Sequence, residues 1–346
     1  FFLEETRKVV RRLREITPAP IIVGGAGYSI FPVSALEYLE ADMGLAGEGE
    51  IALPALLHAL EGQNAYDSVP GLYLPQVGQV GPQQLLRDLD SCPLPRQEWL
   101  SKDLKNRDDF WMPFQTRRGC PLNCSYCSTS SIEGRPIRKR SVSRVIDSLE
   151  DLQGAGLRRV FFVDNTFNLP GSYARDLCQG MIRKGLDLSW CSIIYPMGVD
   201  PGLAELMAMA GCRHVSLGFE SGSPLMLSVL NKRFSLEDVR QAADHLARAG
   251  IIRAGFLLLG GPGETQDTVR QSLDFADSLE LDALKITVGI RIYPGTLLAR
   301  QAVDFGIITP RDPLLQPSFY LEPSLSHWLP SFVHSWISER PGLVLL

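Results

Sequence analysis

The chain is 346 residues long, 45% of them hydrophobic and 21% charged, with a formal net charge of −5. This length is typical of about two domains, and the composition is that of an ordered globular protein. The acidic balance argues against a surface that coats nucleic acid, and no apolar run reaches the roughly 18–20 residues that cross a bilayer. We therefore expect neither a membrane span nor a nucleic-acid partner.

Residues 1–80 alternate helical patterns with short β-rich runs. The predicted order is helix 1–16, strand 20–24, helix 33–40, strand 42–46 and helix 50–61. Such alternation indicates a parallel sheet of the doubly wound type. Because the first predicted element is a helix rather than a strand, we expect this sequence to contain only the later part of the α/β domain.

Over residues 81–109 the periodicity gives way to prolines, glutamines and charges, which predicts a linker. Strand and helix patterns alternate again over residues 110–308. The six predicted strands span residues 112–116, 159–164, 190–194, 214–219, 254–260 and 283–292. The clearest helices span residues 143–152, 235–249 and 265–279. Six βα units in series predict a partial barrel with its site at the carboxyl ends of the strands. No structure is predicted for the tail, residues 309–346.

Cys120, Cys124 and Cys127 form a C-x₃-C-x₂-C triplet directly after the first of these strands. Three thiolates can hold three irons of a cubane [4Fe–4S] cluster and leave the fourth iron open for chemistry. A structural zinc site would need a fourth ligand, and the sequence offers neither a second cysteine pair nor a nearby histidine. The triplet therefore predicts an iron–sulfur cluster rather than zinc or inert cysteines. The other four cysteines are scattered, and the odd total predicts a reducing compartment, the cytoplasm.

With Tyr126 before its last cysteine, the triplet resembles the signature of the radical S-adenosylmethionine (SAM) superfamily, and the resemblance extends over residues 110–308. It implies a partial (βα)₆ barrel whose open iron binds S-adenosylmethionine. One electron from the cluster then cleaves the bound molecule to a 5′-deoxyadenosyl radical. The resemblance also implies an external one-electron donor of the flavodoxin or ferredoxin type and a small-molecule substrate.

The same resemblance implies roles for residues at the strand ends. Tyr126 would lie near the adenine, unless it only packs the cluster loop. Asp164 would contact the methionine amino group or serve as a helix cap or loop acid, since the family's usual Gly-Gly-Glu is absent here. Glu220 and Ser221 follow the fourth strand, where the family binds the ribose. Lys232 is a candidate partner of the S-adenosylmethionine carboxylate.

The fifth strand ends in a glycine-rich segment, residues 255–265. Gly260 and Pro262 within it match the family's adenine-binding motif. The segment lacks the Gly-Lys-Ser/Thr of a phosphate loop. We expect Glu264 to support the following helix rather than to do chemistry.

Tyr293-Pro294-Gly295-Thr296 resembles the branch of the superfamily that includes cobalamin-dependent enzymes and methylthiotransferases. In that branch Gly24 and Gly25 would belong to an incomplete Rossmann-like cobalamin-binding domain and lie against the nucleotide tail of the cofactor. Gly47-Glu48-Gly49-Glu50 and Pro70-Gly71-Leu72 match landmarks of the same domain. A dinucleotide fingerprint fits less well because its third glycine is missing. The Asp-x-His-x-x-Gly motif that supplies the lower cobalt ligand is absent from this chain.

A basic cluster follows the cysteine loop: Arg135, Arg138, Lys139, Arg140 and Arg144. We interpret it as a solvated turn before a helix begun by Ser143, with a patch for an anionic substrate or a nucleic acid as the alternative. The sequence as a whole predicts an α/β enzyme that uses a [4Fe–4S] cluster, S-adenosylmethionine and cobalamin to methylate or rearrange an unactivated carbon of a small molecule. The alternatives are an RNA-modifying methylthiotransferase and a non-catalytic iron–sulfur protein.

Overall fold

The N-terminal part of the chain forms a small mixed sheet. The computed structural model describes residues 2–62, 65–96, 98, 110–340 and 343–345. The sheet has the order β1-β2-β3-β4, with strands Ile22–Gly24, Met43–Leu45, Leu72–Leu74 and Gly78–Gln79. β1 and β2 are parallel, whereas β3 and β4 are added antiparallel. Its helices are α1 (Leu3–Ile16), α2 (Ala26–Ile30), α3 (Pro32–Leu39) and α4 (Gly49–Leu60). The predicted strands and helices of this region are confirmed, although both strands are shorter than expected.

A second sheet of seven parallel strands dominates the rest of the molecule, in the order β15-β12-β11-β10-β9-β8-β5. These strands are β5 (Met112–Phe114), β8 (Arg159–Phe162), β9 (Ser189–Ile194), β10 (Cys212–Glu220), β11 (Ile252–Leu259), β12 (Ala283–Val288) and β15 (Leu343–Leu345). Two short ribbons complete the strands: β6 (Arg117–Arg118) with β7 (Arg138–Lys139), and β13 (Ile290–Arg291) with β14 (Phe319–Tyr320). Six strands follow one another in chain order, as in a βα barrel, and the sheet is a partial barrel.

Helices connect these strands and cover the outer face of the sheet. They are α5 (Thr129–Glu133), α6 (Val142–Gly154), α7 (Gly171–Lys184), α8 (Pro201–Met209), α9 (Pro224–Val229), α10 (Leu236–Arg248), α11 (Gln266–Ser278), α12 (Leu297–Asp304) and α13 (Leu329–Ser338). Capping boxes at Ser235 and Thr265 satisfy the first backbone donors of α10 and α11. These boxes explain why both helices begin where the sequence predicted.

The main core lies between the sheet and these helices. Alternate strand residues such as Phe162, Trp190 and Leu217 are fully buried in it, because successive side chains of a strand point to opposite faces. The opposite, inner face of the sheet is only partly covered. Ile193, near the carboxyl end of β9, remains 38% exposed.

The tail, for which the sequence predicted no structure, completes both the barrel and its core. β14 pairs with β13, β15 extends the sheet beyond β12, and Leu329 and Val333 of α13 are fully buried in the main core. The predicted linker falls partly outside the described residues, at 97 and 99–109. None of the helices in the described ranges is long and apolar enough to cross a bilayer.

Candidate functional site

The cysteine triplet lies on the loop between β6 and α5, at the carboxyl end of the first barrel strand. Cys120 is buried, Cys124 and Cys127 are half-buried, and all seven cysteines of the chain are free thiols. The loop is fixed from two sides through Ser125. Its amide donates to the Leu230 carbonyl at 3.1 Å, and its carbonyl accepts from the Leu298 amide at 2.9 Å.

Glu133, which sequence reasoning missed, ties the start of the cysteine loop to the neighbouring strand ends. Its carboxylate accepts from the Gly119 amide at 3.0 Å, from Gln115 Nε2 at 2.9 Å and from Asn165 Nδ2 at 2.6 Å. Nothing in the local sequence distinguishes it from a surface glutamate at the end of a short helix. Its role follows only from the close approach of β5, β8 and α5.

The residues present fit a cluster better than a single metal ion. Cys124 and Cys127 line a cavity of about 290 Å³ between the cysteine loop and the start of α12. Burial raises the pKa of the Cys120 and Cys124 thiols, and the three sulfurs are close enough for neighbouring thiolates to raise it further. Within the described residues, no group of three or more Cys, His, Asp or Glu side chains could hold one ion. Three free thiols on one loop, two of them lining a cavity, fit a cluster that binds several sulfurs.

A buried group of charged and phenolic side chains adjoins Cys124. Lys232 Nζ donates to the Tyr126 hydroxyl at 2.9 Å and to Glu220 Oε1 at 3.2 Å. Burial alone would lower the pKa of Lys232, but Glu220, Tyr126 and Cys124 together raise it well above its usual value. Burial raises the pKa of Cys124, whereas the Lys232 charge lowers it. The structure thus brings together three of the residues that the sequence singled out separately, beside a cysteine of the triplet.

The backbone at Glu220 has an unusual conformation, which directs its side chain toward Lys232. Its φ is +65°, and the pairing of β10 with β11 shifts register between Gly218 and Glu220. A non-glycine residue rarely adopts a left-handed conformation, and a bulge at a strand end often re-aims a side chain at a site. A Cβ on Gly218 would lie 2.9 Å from Glu220 Oε1, so the glycine leaves room for the carboxylate. The local strain at Glu220 is consistent with a functional position.

Asp164 is fully buried, and its carboxylate binds the chain that leads to the cysteine loop. It accepts from the Thr116 amide at 2.8 Å, the Thr116 hydroxyl at 2.6 Å and the Arg117 amide at 3.1 Å. The Arg117 guanidinium lies 3.3 Å from its second oxygen. A contact between Asp164 and the methionine amino group stays a prediction, and these bonds show it supporting the strand before the triplet.

Ser221 is likewise engaged within the protein. Its hydroxyl is fully buried, lies 2.8 Å from the Ser272 hydroxyl on α11 and accepts from the Ser223 amide at 3.1 Å. Gly222 next to it has no room for a side chain, because a Cβ there would lie 2.4 Å from Cβ of Phe275. These contacts fix the turn after β10 against α11. The predicted ribose contact of Ser221 is not tested by them.

Glu264 supports the glycine-rich turn after β11, not the following helix as the sequence analysis expected. Glu264 is buried and accepts from the amides of Gly260 and Gly261, the latter at 3.0 Å. Burial raises the pKa of Glu264 to about 7. Gly260 has φ +92°, a conformation that L side chains rarely adopt. The start of α11 itself is capped by Thr265, so Glu264 supports the turn rather than the helix.

An ionic contact that we call the interdomain clasp joins the N-terminal sheet to the cysteine loop; it consists of Glu48, Glu50, Arg118 and Arg138. Arg138 Nη1 lies 2.7 Å from Glu48 Oε1, and Arg118 Nη2 lies 2.5 Å from Glu50 Oε1. The Gly-Glu-Gly-Glu landmark of the N-terminal domain therefore has a structural role: its two acids bind the β6–β7 ribbon that precedes and follows the triplet.

The expectation of a solvated basic turn is wrong for two members of the basic cluster. Arg138 is buried in the clasp, and buried Arg140 donates to the carbonyls of Leu89 and Cys92 in the segment that follows β4. Helix α6 begins at Val142, one residue before the predicted Ser143. Sequence reasoning failed here because alternate residues of a short ribbon point to opposite sides, which a run of basic residues conceals.

Gly24 and Gly25 lie at the exposed end of β1. Gly25 has φ +94° and precedes α2, and nothing within 4 Å would meet a Cβ there. Gly24 and Gly27 line a cavity of about 530 Å³ whose other walls are mainly apolar residues of α1, β1, α2 and α3. The glycine loop is thus open to a ligand, and a cobalamin contact there stays a prediction.

Comparison with known proteins identifies the larger domain. Residues 115–276 match the model of the radical SAM superfamily. The chain is 30% identical to an uncharacterized methyltransferase of Pyrococcus horikoshii over 82% of this chain and 63% of the relative. It is 24% identical to the tryptophan 2-C-methyltransferase of Streptomyces laurentii over 88% of this chain and 61% of the relative. The chain therefore spans less than two thirds of the length of these relatives.

Solved structures show the same architecture. The methyltransferase TsrM of Kitasatospora setae, with cobalamin and a [4Fe–4S] cluster bound, matches with a TM-score of 0.75 at 25% identity, over 88% of this chain and 61% of that chain. The cobalamin-dependent enzyme OxsB, with aqua-cobalamin and S-adenosylmethionine bound, matches with a TM-score of 0.77 over 96% of this chain and 56% of that chain. At 18% identity, the second likeness shows the fold alone. Residues 115–276 therefore form a radical SAM domain, and the chain as a whole has the fold of the methyltransferase TsrM.

Proposed function

We propose that this chain is the catalytic part of a radical SAM enzyme that methylates or rearranges an unactivated carbon of a small molecule. The observation that carries the proposal is the convergence of three free thiols with Tyr126, Glu220 and Lys232 at the carboxyl ends of the barrel strands. Acid–base side chains cannot abstract hydrogen from such a carbon. When bound, the [4Fe–4S] cluster, S-adenosylmethionine and cobalamin would supply the radical or methyl chemistry.

In this proposal the chain's own residues hold and orient these groups. Cys120, Cys124 and Cys127 would ligate three irons of the cluster, which would leave one iron free for the amino acid part of S-adenosylmethionine. Glu220 would hold the ribose hydroxyls, and Lys232 Nζ, 3.2 Å from Glu220 Oε1, would fix the position of that carboxylate. The glycine turn at Gly260 and Pro262 lets the adenine approach the backbone closely.

Cobalamin is the second cofactor that we propose. Support comes from the open Gly24–Gly25 loop, from the apolar cavity beside it and from the fold shared with TsrM. The interdomain clasp would keep this cofactor at a fixed distance from the cluster. Equilibrium dialysis of hydroxocobalamin against the complete protein tests the assignment, which would be withdrawn if no corrinoid were retained.

We further propose that the electron comes from an external donor of the flavodoxin or ferredoxin type. The cavity lined by Cys124 and Cys127 is bordered by the exposed Arg135 and Arg300, which would suit an acidic donor. The chain has no further grouped cysteines for a second cluster. This absence also counts against the methylthiotransferase alternative, and the free thiols support a reducing compartment, the cytoplasm.

Turnover of S-adenosylmethionine tests the proposed function. Protein reconstituted anaerobically with iron and sulfide should turn brown and, with dithionite, should form 5′-deoxyadenosine or S-adenosylhomocysteine. Cys124→Ala should lose both the colour and the products. Cys92→Ala, which removes a buried thiol outside the triplet, is the matched control and should keep both. Intact cluster in the wild type with neither product formed would show that the proposal is wrong.

A further inference from the structure

The inner face of the partial barrel carries an unpaired cation. On β12 the side chains of Leu284 and Ile286 are buried in the main core, so Lys285 between them points to the inner face. Among the described residues its ammonium group lies over the ring of Phe256, whose centroid is 5.6 Å from Nζ. No carboxylate of the described part of the chain pairs with it.

The strands place small residues around Lys285 and Phe256. Gly218, Phe256 and Lys285 are neighbours in register across β10, β11 and β12. The adjacent register toward the amino ends of the strands pairs Ser216, Ala254 and Ala283. The Phe256 ring and the Lys285 ammonium group therefore lie next to Gly218, and the side chains on their amino-terminal side are small. Ile193 on the next strand is exposed, as expected where the inner face encloses open space.

The cations of this inner face are Lys285 and Arg159, which strand alternation places on it. His214 lies on the same face, packs edge-on against Trp111 and has a pKa that burial lowers, which favours its neutral form. Along the described barrel strands the only acid on the inner face is Glu220. Its carboxylate is already paired with Lys232. A negatively charged group entering the barrel would therefore meet an available cation and no competing acid near Lys285.

We propose that Lys285 anchors the negatively charged group, a carboxylate or phosphate, of a substrate whose apolar, planar part lies against Phe256. The inference rests on the proposed function, because it makes the inner face the place where the substrate meets the radical chemistry. Lys285 is a specificity-determining residue in this proposal, since an ammonium group binds an anion most strongly where apolar walls exclude water. The substrate class is thus an anionic, ring-bearing small molecule.

Two fluorescent probes that share one ring system and differ only in charge test the role of Lys285 by binding alone, without enzymatic turnover. 8-Anilinonaphthalene-1-sulfonate carries a negative charge, and N-phenyl-1-naphthylamine is the same molecule without it. In titrations of the reconstituted protein, Lys285→Met should weaken binding of the sulfonate about tenfold or more, the range of a hydrogen bond to a charged group, and leave the neutral probe unchanged. Lys285→Arg should keep the sulfonate affinity within about threefold, because it keeps the charge.

Lys184→Met, which removes an exposed lysine from α7, is the matched control and should change neither affinity. Equal sulfonate affinity in the wild type and Lys285→Met would overturn the proposal, and so would an equal loss for both probes. S-adenosylmethionine binding should be the same in the wild type and Lys285→Met, and a loss there would assign Lys285 to the cofactor instead. None of these readouts depends on 5′-deoxyadenosine formation, so failure here is distinguishable from failure of the proposed function.

Discussion

Replacing Arg138 by methionine should destabilise the protein far more than removing an exposed arginine. The buried guanidinium donates to Glu48 Oε2 at 2.8 Å, to the Leu86 carbonyl at 2.8 Å and to the Glu133 carbonyl at 2.6 Å. Methionine would fill similar space but leave Glu48 buried without its main partner. Removal of one partner from a buried pair costs about 3–5 kcal/mol. We therefore expect the free energy of unfolding to fall by that amount.

The measurement is urea unfolding of the reduced apoprotein, followed by tryptophan fluorescence and far-UV circular dichroism. Arg240→Met is the matched control, because the Arg240–Glu237 pair on α10 has both side chains more than half exposed. Exposed pairs of this kind contribute about 0–1 kcal/mol. Glu48→Gln combined with Arg138→Met should restore part of the loss, since no buried charge then remains unpaired. If Arg138→Met cost no more than Arg240→Met, the reasoning about the clasp would be refuted.

Three further substitutions test the candidate site. Glu264→Gln should abolish one pH dependence of stability. Burial raises the pKa of Glu264 from its ordinary 4.5 to about 7 in the folded protein, so its contribution to stability is fully present below pH 4.5 and is lost, by up to about 3 kcal/mol, as the pH rises through 7. The melting temperatures at pH 5 and 8 should differ less in the variant, and an unchanged difference would contradict this. Ser221→Ala should cost about 1–3 kcal/mol, because the buried Ser223 amide loses its acceptor and Ser272 loses one of its hydrogen bonds, with S-adenosylmethionine affinity retained. A large loss of affinity would instead support a ribose contact through the hydroxyl. Glu220→Gln should weaken S-adenosylmethionine binding about tenfold or more in equilibrium dialysis, and an unchanged affinity would exclude the ribose role.

The sequence by itself determined the chain order of the elements and singled out the three cysteines that we propose as cluster ligands. Periodicity of two and of 3.6 residues is local, so the strands near residues 159, 214 and 254 and the capped helices after Ser235 and Thr265 could be read directly. The cysteine triplet is equally local, because all three ligands lie within eight residues of one loop. The tail could not be read, since β15 is a strand only through its pairing with β12, some 60 residues away in sequence.

Only the tertiary structure decided which charges are partners. Glu220 lies 12 residues from Lys232, and Glu48 lies 90 residues from Arg138, so neither pair leaves a signature in the sequence. The roles of Glu133 and Lys285 cannot be predicted from the local sequence either. The role of Glu133 depends on what the end of its helix contacts, and that of Lys285 depends on which face of the sheet it occupies. Burial then fixes the energetics, because a buried charge must find a partner whereas an exposed one need not. The local sequence therefore identifies the type of chemistry, through the cysteine triplet. The partner and the burial of each charged residue depend on the tertiary packing.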